Sequence, residues 1–305
     1  MDLFQLETFL AVARERSFSR AAQRLHRTQP AVSQAVRKME EELGEVVFDR
    51  SSRDLVLTDA GQVLHEYAQK LLNLREEARS SLRELKSLHK GNLTVGANEF
   101  TALYLLPILH GFRRLCPGVK VTVQRSLASR IPHDLLNHAV ELGMLSFRPA
   151  EPLLRSIVVY RDELAFITHP NHPLASLRRV SIRQLGALSF VAHNVTSPYR
   201  AKVLEAFQRY KTPLNMDVEL PTIEAIKKFV AMGNGVALVP AIAVRAELDR
   251  AELVQVPVQD LKLQRKLRIV YRKGAGLSHA ARAFLKVSET MAQKQDGQYV
   301  YQPET

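Results

Sequence analysis

Between His26 and Gly44 the chain reads HRTQPAVSQAVRKMEEELG, and three hydrogen-bonding side chains, Gln29, Ser33 and Arg37, recur there four residues apart. At 3.6 residues per turn that spacing lines them along one face of a helix, with Gln34 and Lys38 beside them. A glutamine amide matches the N6/N7 pair of adenine, and an arginine fork matches O6/N7 of guanine. Serine and glutamine serve bases or phosphates, and lysine serves phosphates. Val32, Val36 (or Ala35), Met39 and Leu43 form the apolar face and account for packing, but not for the polar row. A polar helix face is otherwise simply solvated, so the neighbouring elements decide between the two readings.

Other residues that could do chemistry do not assemble into catalysis. His169 and His172 are three apart in HPNHP, a proline-broken loop with no cysteine or carboxylate to complete a metal set. His193, Ser197 and Arg200 in AHNVTSPYR lack a GxSxG elbow and an acid spaced to orient the histidine. GNGVALVP (Gly233 to Pro240) precedes a strand instead of joining strand to helix, so it is no dinucleotide fingerprint. Cys116 is the single cysteine and reads as a half-buried thiol. No catalytic residue, metal or cofactor is expected.

The elements around the polar face favour a reading of DNA. Leu3, Leu6, Phe9, Leu10 and Ala13 mark a first helix. Ser17 suits the N-cap of a second, which buries Ala21, Ala22 and Leu25. Thr28 caps the third, Pro30 occupies its first turn and Gly44 ends it. VVFDRSSRDLVLT then gives a hairpin around residues 51–54. Three short helices and a hairpin in residues 1–58 make an all-α winged helix-turn-helix, whose second motif helix enters the major groove N-terminus first. Ser17, Ser19 and Arg20 suit phosphates at a helix N-terminus, Thr28 is also expected in the DNA-binding set, and Arg53 at the hairpin tip suits a narrow minor groove.

In residues 59–90, Leu64, Ala68, Leu71, Ala78, Leu82 and Leu85 follow three- and four-residue steps, broken only by Arg75. A lone helix with such a seam needs a partner, which predicts a dimerising linker helix. Beyond HKGN, strand-like and helix-like segments alternate through residues 91–305. That pattern implies an α/β domain with mainly parallel sheets and helices on both faces. Its two halves would be lobe I (91–161 and 267–295) and lobe II (162–266), with the chain crossing near 161 and 266. The tail QDGQYVYQPET is expected to fray.

Charge agrees with this division. The net charge of +12 is carried almost wholly beyond residue 90, where the excess is +11. Residues 14–38 nevertheless hold seven basic side chains against Glu15 alone, a local stretch suited to a phosphate backbone. The N-terminus reads as an amphipathic helix and not a signal peptide, and no run of about 18 apolar residues occurs, so a cytoplasmic protein without membrane contact is expected.

These pieces, in this order, resemble the LysR-type transcriptional regulators over essentially the whole chain. FLAVARERSFSRAAQRLHRTQPAVSQAVRKMEEELGEVVFDR and LTDAGQVL carry the resemblance, with weaker echoes in LLPILHGFRRLCPGVKVTV, HPNHPLA and AIKKFVAMGNGVALVP. It implies a winged helix-turn-helix, a linker helix and a bilobed effector domain of the periplasmic-binding-protein type. It makes Gln29-Pro30 a base-reading pair, the proline ring touching a thymine methyl, and places Arg50 among the DNA-facing residues. It also implies promoter DNA, a small-molecule effector, RNA polymerase and a homotetramer, as a dimer of dimers, as partners. The peroxide-sensing members need two cysteines, which Cys116 alone does not provide.

In bilobed α/β domains ligands lie beyond the carboxyl ends of strands, against helix N-termini. That selects Asn98, Glu99, Phe100 and Thr101 after LTVGA, and Ser126, Ser129 and Arg130 after VTVQ. It also selects His193, Asn194, Thr196 and Ser197 after LSFVA, and Thr222 after VELP. Phe100 and Ala128 stand where the family often has a serine or threonine. The basic excess favours an anionic metabolite, with Arg130 or Arg148 pairing a carboxylate. The competing reading is a solute-binding or enzymatic α/β protein with an N-terminal dimerisation module.

Overall fold

The computed structural model describes residues 1–49, 55–86, 91–195, 197–261, 263–274, 276–294 and 298–304. They fall into two compact units, 1–88 with 136–139 and 89–135 with 140–305.

The first unit opens with α1 (Leu3–Glu15), fixed by a reciprocal cap in which Gln5 N donates to Asp2 Oδ1 (2.8 Å) and Asp2 N to Gln5 Oε1 (2.7 Å). α2 (Phe18–Arg24) is capped by Ser17, whose Oγ accepts from Arg20 N at 3.3 Å. α3 (Gln29–Leu43) ends at Gly44, which takes the left-handed φ of 70° at no steric cost. Val32, Val36 and Met39 are fully buried against Phe9, Val12 and Ala21, each contributing about 1.5–3 kcal/mol. Leu43 was expected in that stripe but is 40% exposed, because the last turn of α3 runs past the edge of the core.

β1 (Phe48–Asp49) and β2 (Val56–Leu57) pair antiparallel as a short wing. Phe48 pins it, with its ring 5.3 Å from that of Phe9 and 5.8 Å from that of Phe18. α4 (Asp59–Lys86) starts at Thr58, whose hydroxyl accepts from Gly61 N (3.0 Å) and donates to Val46 O (2.7 Å). Only glycine fits at 61, since a Cβ there would lie 2.1 Å from Val47 O. The apolar residues of α4 divide between two faces. Ala68 is buried, and Leu64 and Leu72 pack on the winged core. Val63, Tyr67, Leu71, Leu74, Ala78 and Leu82 are exposed at steps of four, four, three, four and four. The expected seam thus mixed two faces: Leu64 and Ala68 belong to the intrachain core. The side chain of Leu85 lies outside the described residues.

The second unit follows the order β3 (Gly91–Ala97), α5 (Glu99–Leu115), β4 (Val119–Arg125), α6 (Ile131–Leu136), β5 (Leu142–Leu145) and β6 (Leu154–Thr168). It continues with α7 (Ile182–Leu185), β7 (Ser189–His193), α8 (Pro198–Arg209), β8 (Asn215–Leu220), α9 (Ile223–Ala231) and β9 (Ala237–Pro240). α10 (Arg245–Asp249), β10 (Val254–Gln255), β11 (Gln264–Arg272), α11 (His279–Lys294) and β12 (Tyr299–Glu304) complete it. Among the described strands, β3–β4, β3–β5 and β7–β8 pair in parallel, beside two isolated parallel bridges, Val180–Val258 and Phe190–Val236. The expectation of mainly parallel sheets is corrected by β6, a 15-residue strand that spans both halves. Its partners β9, β10, β11 and β12 all run back along it. Lys266 lies opposite Arg161, so the chain crosses between halves at paired positions.

One half packs around Leu93, Tyr104, Phe112 and Phe284, and the other around Ile167, Val191, Val239 and Phe190. The tail does not fray over 299–304. β12 adds to β6, and Glu304 accepts from Arg268 Nε (2.7 Å), Arg268 Nη2 (3.0 Å) and Ser156 Oγ (2.6 Å). Burial alone would raise the Glu304 carboxyl, but these bonds hold it below the ordinary glutamate value.

Candidate functional site

The helix pair that presents the polar row is built by α2 and α3, joined through Ala21, Ala22, Val32 and Val36 in one core. The turn between them passes through His26 at φ 53°. With the opposite face buried, Gln29, Pro30, Gln34, Arg37 and Lys38 are exposed and Ser33 is half-buried. Arg37 Nε donates to Glu41 Oε1 at 3.1 Å, an exposed i,i+4 pair worth only a few tenths of a kcal/mol. A phosphate or a guanine edge outbids such a partner. Thr28 occupies the N-cap position of α3, but its hydroxyl makes no cap bond, contrary to expectation. Ser19 and Arg20 are exposed on α2, and Arg20 Nη2 donates to Glu15 O at 2.6 Å.

The acidic run after this face is engaged elsewhere. Glu40 Oε1 accepts from Val47 N at 3.0 Å, Glu41 holds Arg37, and Glu42 pairs with the amino terminus. The hydrogen bond from the terminal ammonium, the largest effect, keeps the Glu42 carboxyl below its usual value. Arg50 and Arg53 lie outside the described residues.

The second unit contains a cavity of about 650 Å³ bounded by the starts of α5 and α8, the end of β4, and strands β6, β7, β8 and β9. Asn98 caps α5, its Oδ1 accepting from Thr101 N at 2.9 Å. Ser197 caps α8, its Oγ accepting from Arg200 N at 3.1 Å. Both caps line the cavity, so two positive helix ends face it. Phe100 packs edge-on against His193 with ring centroids 4.7 Å apart. His193 Nδ1 accepts from Val195 N at 3.1 Å, which leaves Nε2 as its protonated nitrogen. Burial, the main cause, lowers the pKa of His193 and keeps the ring neutral at neutral pH.

Glu99 is the one carboxylate among the lining residues, and it is committed: Oε1 accepts from Ile223 N, at the start of α9, at 3.1 Å. Three arginines line the cavity against it. Arg125 is exposed, while Arg200 donates to His193 O at 3.0 Å and pairs with Glu219. Arg265 is only 5% exposed and lies 4.9 Å over the Tyr199 ring. Its Nη1 is 3.5 Å from Asp162 Oδ2, an ion pair without a hydrogen bond. Neither Nε nor Nη1 of Arg265 has a hydrogen-bond partner among the described residues. Burial raises the Asp162 carboxyl pKa, opposed by the Tyr104 hydroxyl bonded to it and by Arg265.

The cavity thus gathers Asn98, Glu99, Phe100, Ser126, Ser129, His193 and Ser197 from the expected set. It does not gather the rest. Thr101 is buried in the cap of α5, Thr222 caps α9, and Asn194 is exposed outside the lining. Arg130 pairs with Asp134 at 3.6 Å, and Arg148 is also outside the lining, so neither expected arginine faces the cavity. Thr196 lies outside the described residues. Arg125, Arg265 and Tyr199 were not anticipated, and Arg200 was weighed only in the catalytic reading of AHNVTSPYR. Arg125, directly before Ser126 at the end of VTVQR, was the one within reach of the strand-end rule. His169 and His172 each accept from their own loop backbone, at 3.0 Å and 3.1 Å, as turn-closing groups.

Comparison with known proteins covers nearly the whole chain. Residues 3–62 match the family described as bacterial regulatory helix-turn-helix protein, lysR family, and residues 86–292 match the LysR substrate binding domain. A probable RuBisCO transcriptional regulator of Synechocystis is 34% identical over 93% of this chain and 84% of its own length. The chain is similar in fold to full-length CbnR complexed with its target DNA, at a TM-score of 0.76 and 20% identity over 96% of this chain and all of that one. It is also similar to the regulatory domain of Synechocystis CcmR in complex with 2-PG, at a TM-score of 0.60 and 24% identity over 66% of this chain and 96% of that one.

Proposed function

This chain belongs to the LysR family of DNA-binding transcriptional regulators, and we propose that α3 reads its operator while the cavity of the second unit senses a small organic anion. Residues 1–58 serve as the DNA-binding module, 59–90 as the dimerising linker and 91–305 as the effector domain. Gln29, Pro30 and Arg37 face base edges. Ser33 and Gln34 meet bases or phosphates, and Lys38, Ser17, Ser19 and Arg20 meet phosphates. Arg50 and Arg53 of the wing complete the interface. The exposed row on α4 pairs two copies, and two such pairs share a promoter as a homotetramer.

The observation that carries the anion is the charge of the lining: Arg125, Arg200 and Arg265 stand against one carboxylate, Glu99, which already accepts from Ile223 N. An anionic ligand answers that excess of positive charge. Asn98 and Ser197 bring two helix N-termini to bear on the same charge. The protein acts by binding and not by turnover. Effector binding shifts the arrangement of the heads, and with it DNA bending and polymerase contact, only by as much as its affinity differs between the two arrangements. No described helix is long and apolar enough to cross a membrane, and a protein that reads promoter DNA works in the cytoplasm.

Isothermal titration calorimetry of the full chain tests the anion reading. Heat is expected with carboxylates or phosphates and none with amines or polyols of equal size. Binding confined to neutral or cationic compounds would overturn it.

A further inference from the structure

The chain passes from one half of the second unit to the other at Tyr160, Arg161 and Asp162 of β6, which lie opposite Leu267, Lys266 and Arg265 of β11. The buried Tyr160 ring stacks between two others, 4.7 Å from that of Tyr104 and 4.7 Å from that of Tyr299 on β12. Its hydroxyl donates to Gln298 Oε1 at 2.6 Å. Arg161 N donates to Gln298 O at 2.8 Å. Two of the three crossing residues therefore lean on Gln298 and Tyr299. The residues matched to the LysR substrate binding domain end at 292, so Gln298 and β12 lie outside them.

Gln298 has a further partner, and it belongs to the other half. α10 is rooted there by Val244 and Leu248, which pack with Ile167 and Val239. Its first residue, Arg245, donates through Nη2 to Gln298 Oε1 and, at 3.4 Å, to the Tyr160 hydroxyl oxygen. One amide oxygen thus joins a strand of the first half to a helix of the second, and its bond from a guanidinium is of the stronger, charge-assisted kind. The rest of β12 is fastened to the first half alone. Gln302 Oε1 accepts from Arg161 Nη2 at 3.1 Å, and Glu304 holds Arg268 and Ser156. We infer that residues 298–304 are a brace across the hinge: Gln298 ties α10 to β6 and fixes the angle between the halves. Two crossing strands alone make a hinge, in which a few residues absorb a rotation. A tie made outside those strands removes that freedom. Residues of both halves line the cavity, so the brace also fixes its width, whatever the cavity holds.

The test is a distance between the halves, read by double electron–electron resonance on the full chain. Cys116→Ser removes the native thiol, and Arg114→Cys on α5 with Gln208→Cys on α8, both exposed positions, carry nitroxide labels. Labelled chain is mixed with excess unlabelled chain, so that only distances within one chain are read. No ligand is added, so the outcome is independent of the anion reading. The braced chain is expected to give one narrow distance peak. Gln298→Ala is expected to broaden or shift it, while Gln298→Glu, which keeps an acceptor for Tyr160 and Arg245, retains the narrow peak. Glu304→Ala loosens the far end of β12 within the first half, and should lower the melting temperature with the peak unmoved. A peak unchanged in Gln298→Ala, or in a chain ending at Lys294, would overturn the brace. So would Glu304→Ala or Gln298→Glu broadening the peak as much as Gln298→Ala.

Discussion

The division of α4 into two apolar faces yields the sharpest structural prediction. Val63, Tyr67, Leu71, Leu74 and Leu82 are between 44% and 62% exposed, whereas Ala68 is buried. Burying a whole leucine is worth about 1.5–3 kcal/mol. About half of Leu71 remains to be covered, so a partner helix gains about 1 kcal/mol from it. Pairing two copies uses the residue twice, giving about 2 kcal/mol for that position. At 1.4 kcal/mol per decade, Leu71→Ala is then expected to weaken the dimer roughly thirtyfold. Leu71→Glu should do more, because two carboxylates would face each other. Sedimentation velocity over a concentration series reads the dissociation, and a thermal melt reads the fold. Leu64→Ala should show the reverse pattern, a lower Tm with association largely retained, because Leu64 packs on the winged core. An unchanged dimer in Leu71→Glu, or dissociation in Leu64→Ala without loss of stability, would refute the assignment of faces.

Three further outcomes are expected. Gln29→Ala should cost about 1–3 kcal/mol on the operator and relax preference at one base position, while Lys38→Ala should weaken all sequences and reduce the salt slope by about one; competition binding with single-base variants reads both. Glu304→Ala should lower the unfolding free energy by about 2 kcal/mol in urea denaturation, since it removes the acceptor of two Arg268 bonds and one Ser156 bond. Because burial lowers the His193 pKa, the unfolded chain takes up that proton at a higher pH than the folded one. Stability is therefore unaffected above pH about 6.5 and falls as pH drops below it; His193→Gln should reduce that fall, measured by melts from pH 7.5 to 5.5.

The winged head was nearly complete in the sequence because each of its signals is local. Ser17, Pro30 and Gly44 mark helix ends by their own backbone chemistry, and Val32, Val36 and Met39 keep a single period. Leu43 failed where a helix outran its core, which periodicity does not register. The α4 seam failed because one helix carries two apolar sets on the same heptad-like spacing, Leu64 and Ala68 on the core of its own chain and Leu71 and Leu82 exposed. In the second unit the alternation of elements was legible, but strand direction was not, since β6 pairs with strands about 70 to 150 residues away. The same distance in sequence hid Arg265. It pairs with Asp162, which the crossing of β6 and β11 brings beside it, and lies over Tyr199 of α8. Caps such as Asn98 and Ser197 were found because a strand end followed by a helix start is visible in a few residues.

The central claim joins the α3 face to the cavity, and one measurement addresses both. Fluorescence anisotropy of the purified full chain would use the DNA upstream of its own gene and a scrambled fragment, at two salt concentrations. Each would be read with and without a panel of small carboxylates and phosphates. The account predicts tighter binding to the upstream fragment, a steep loss with salt, and a shift in that affinity on adding one of these anions. Equal binding to both fragments, unmoved by any acid, would contradict it.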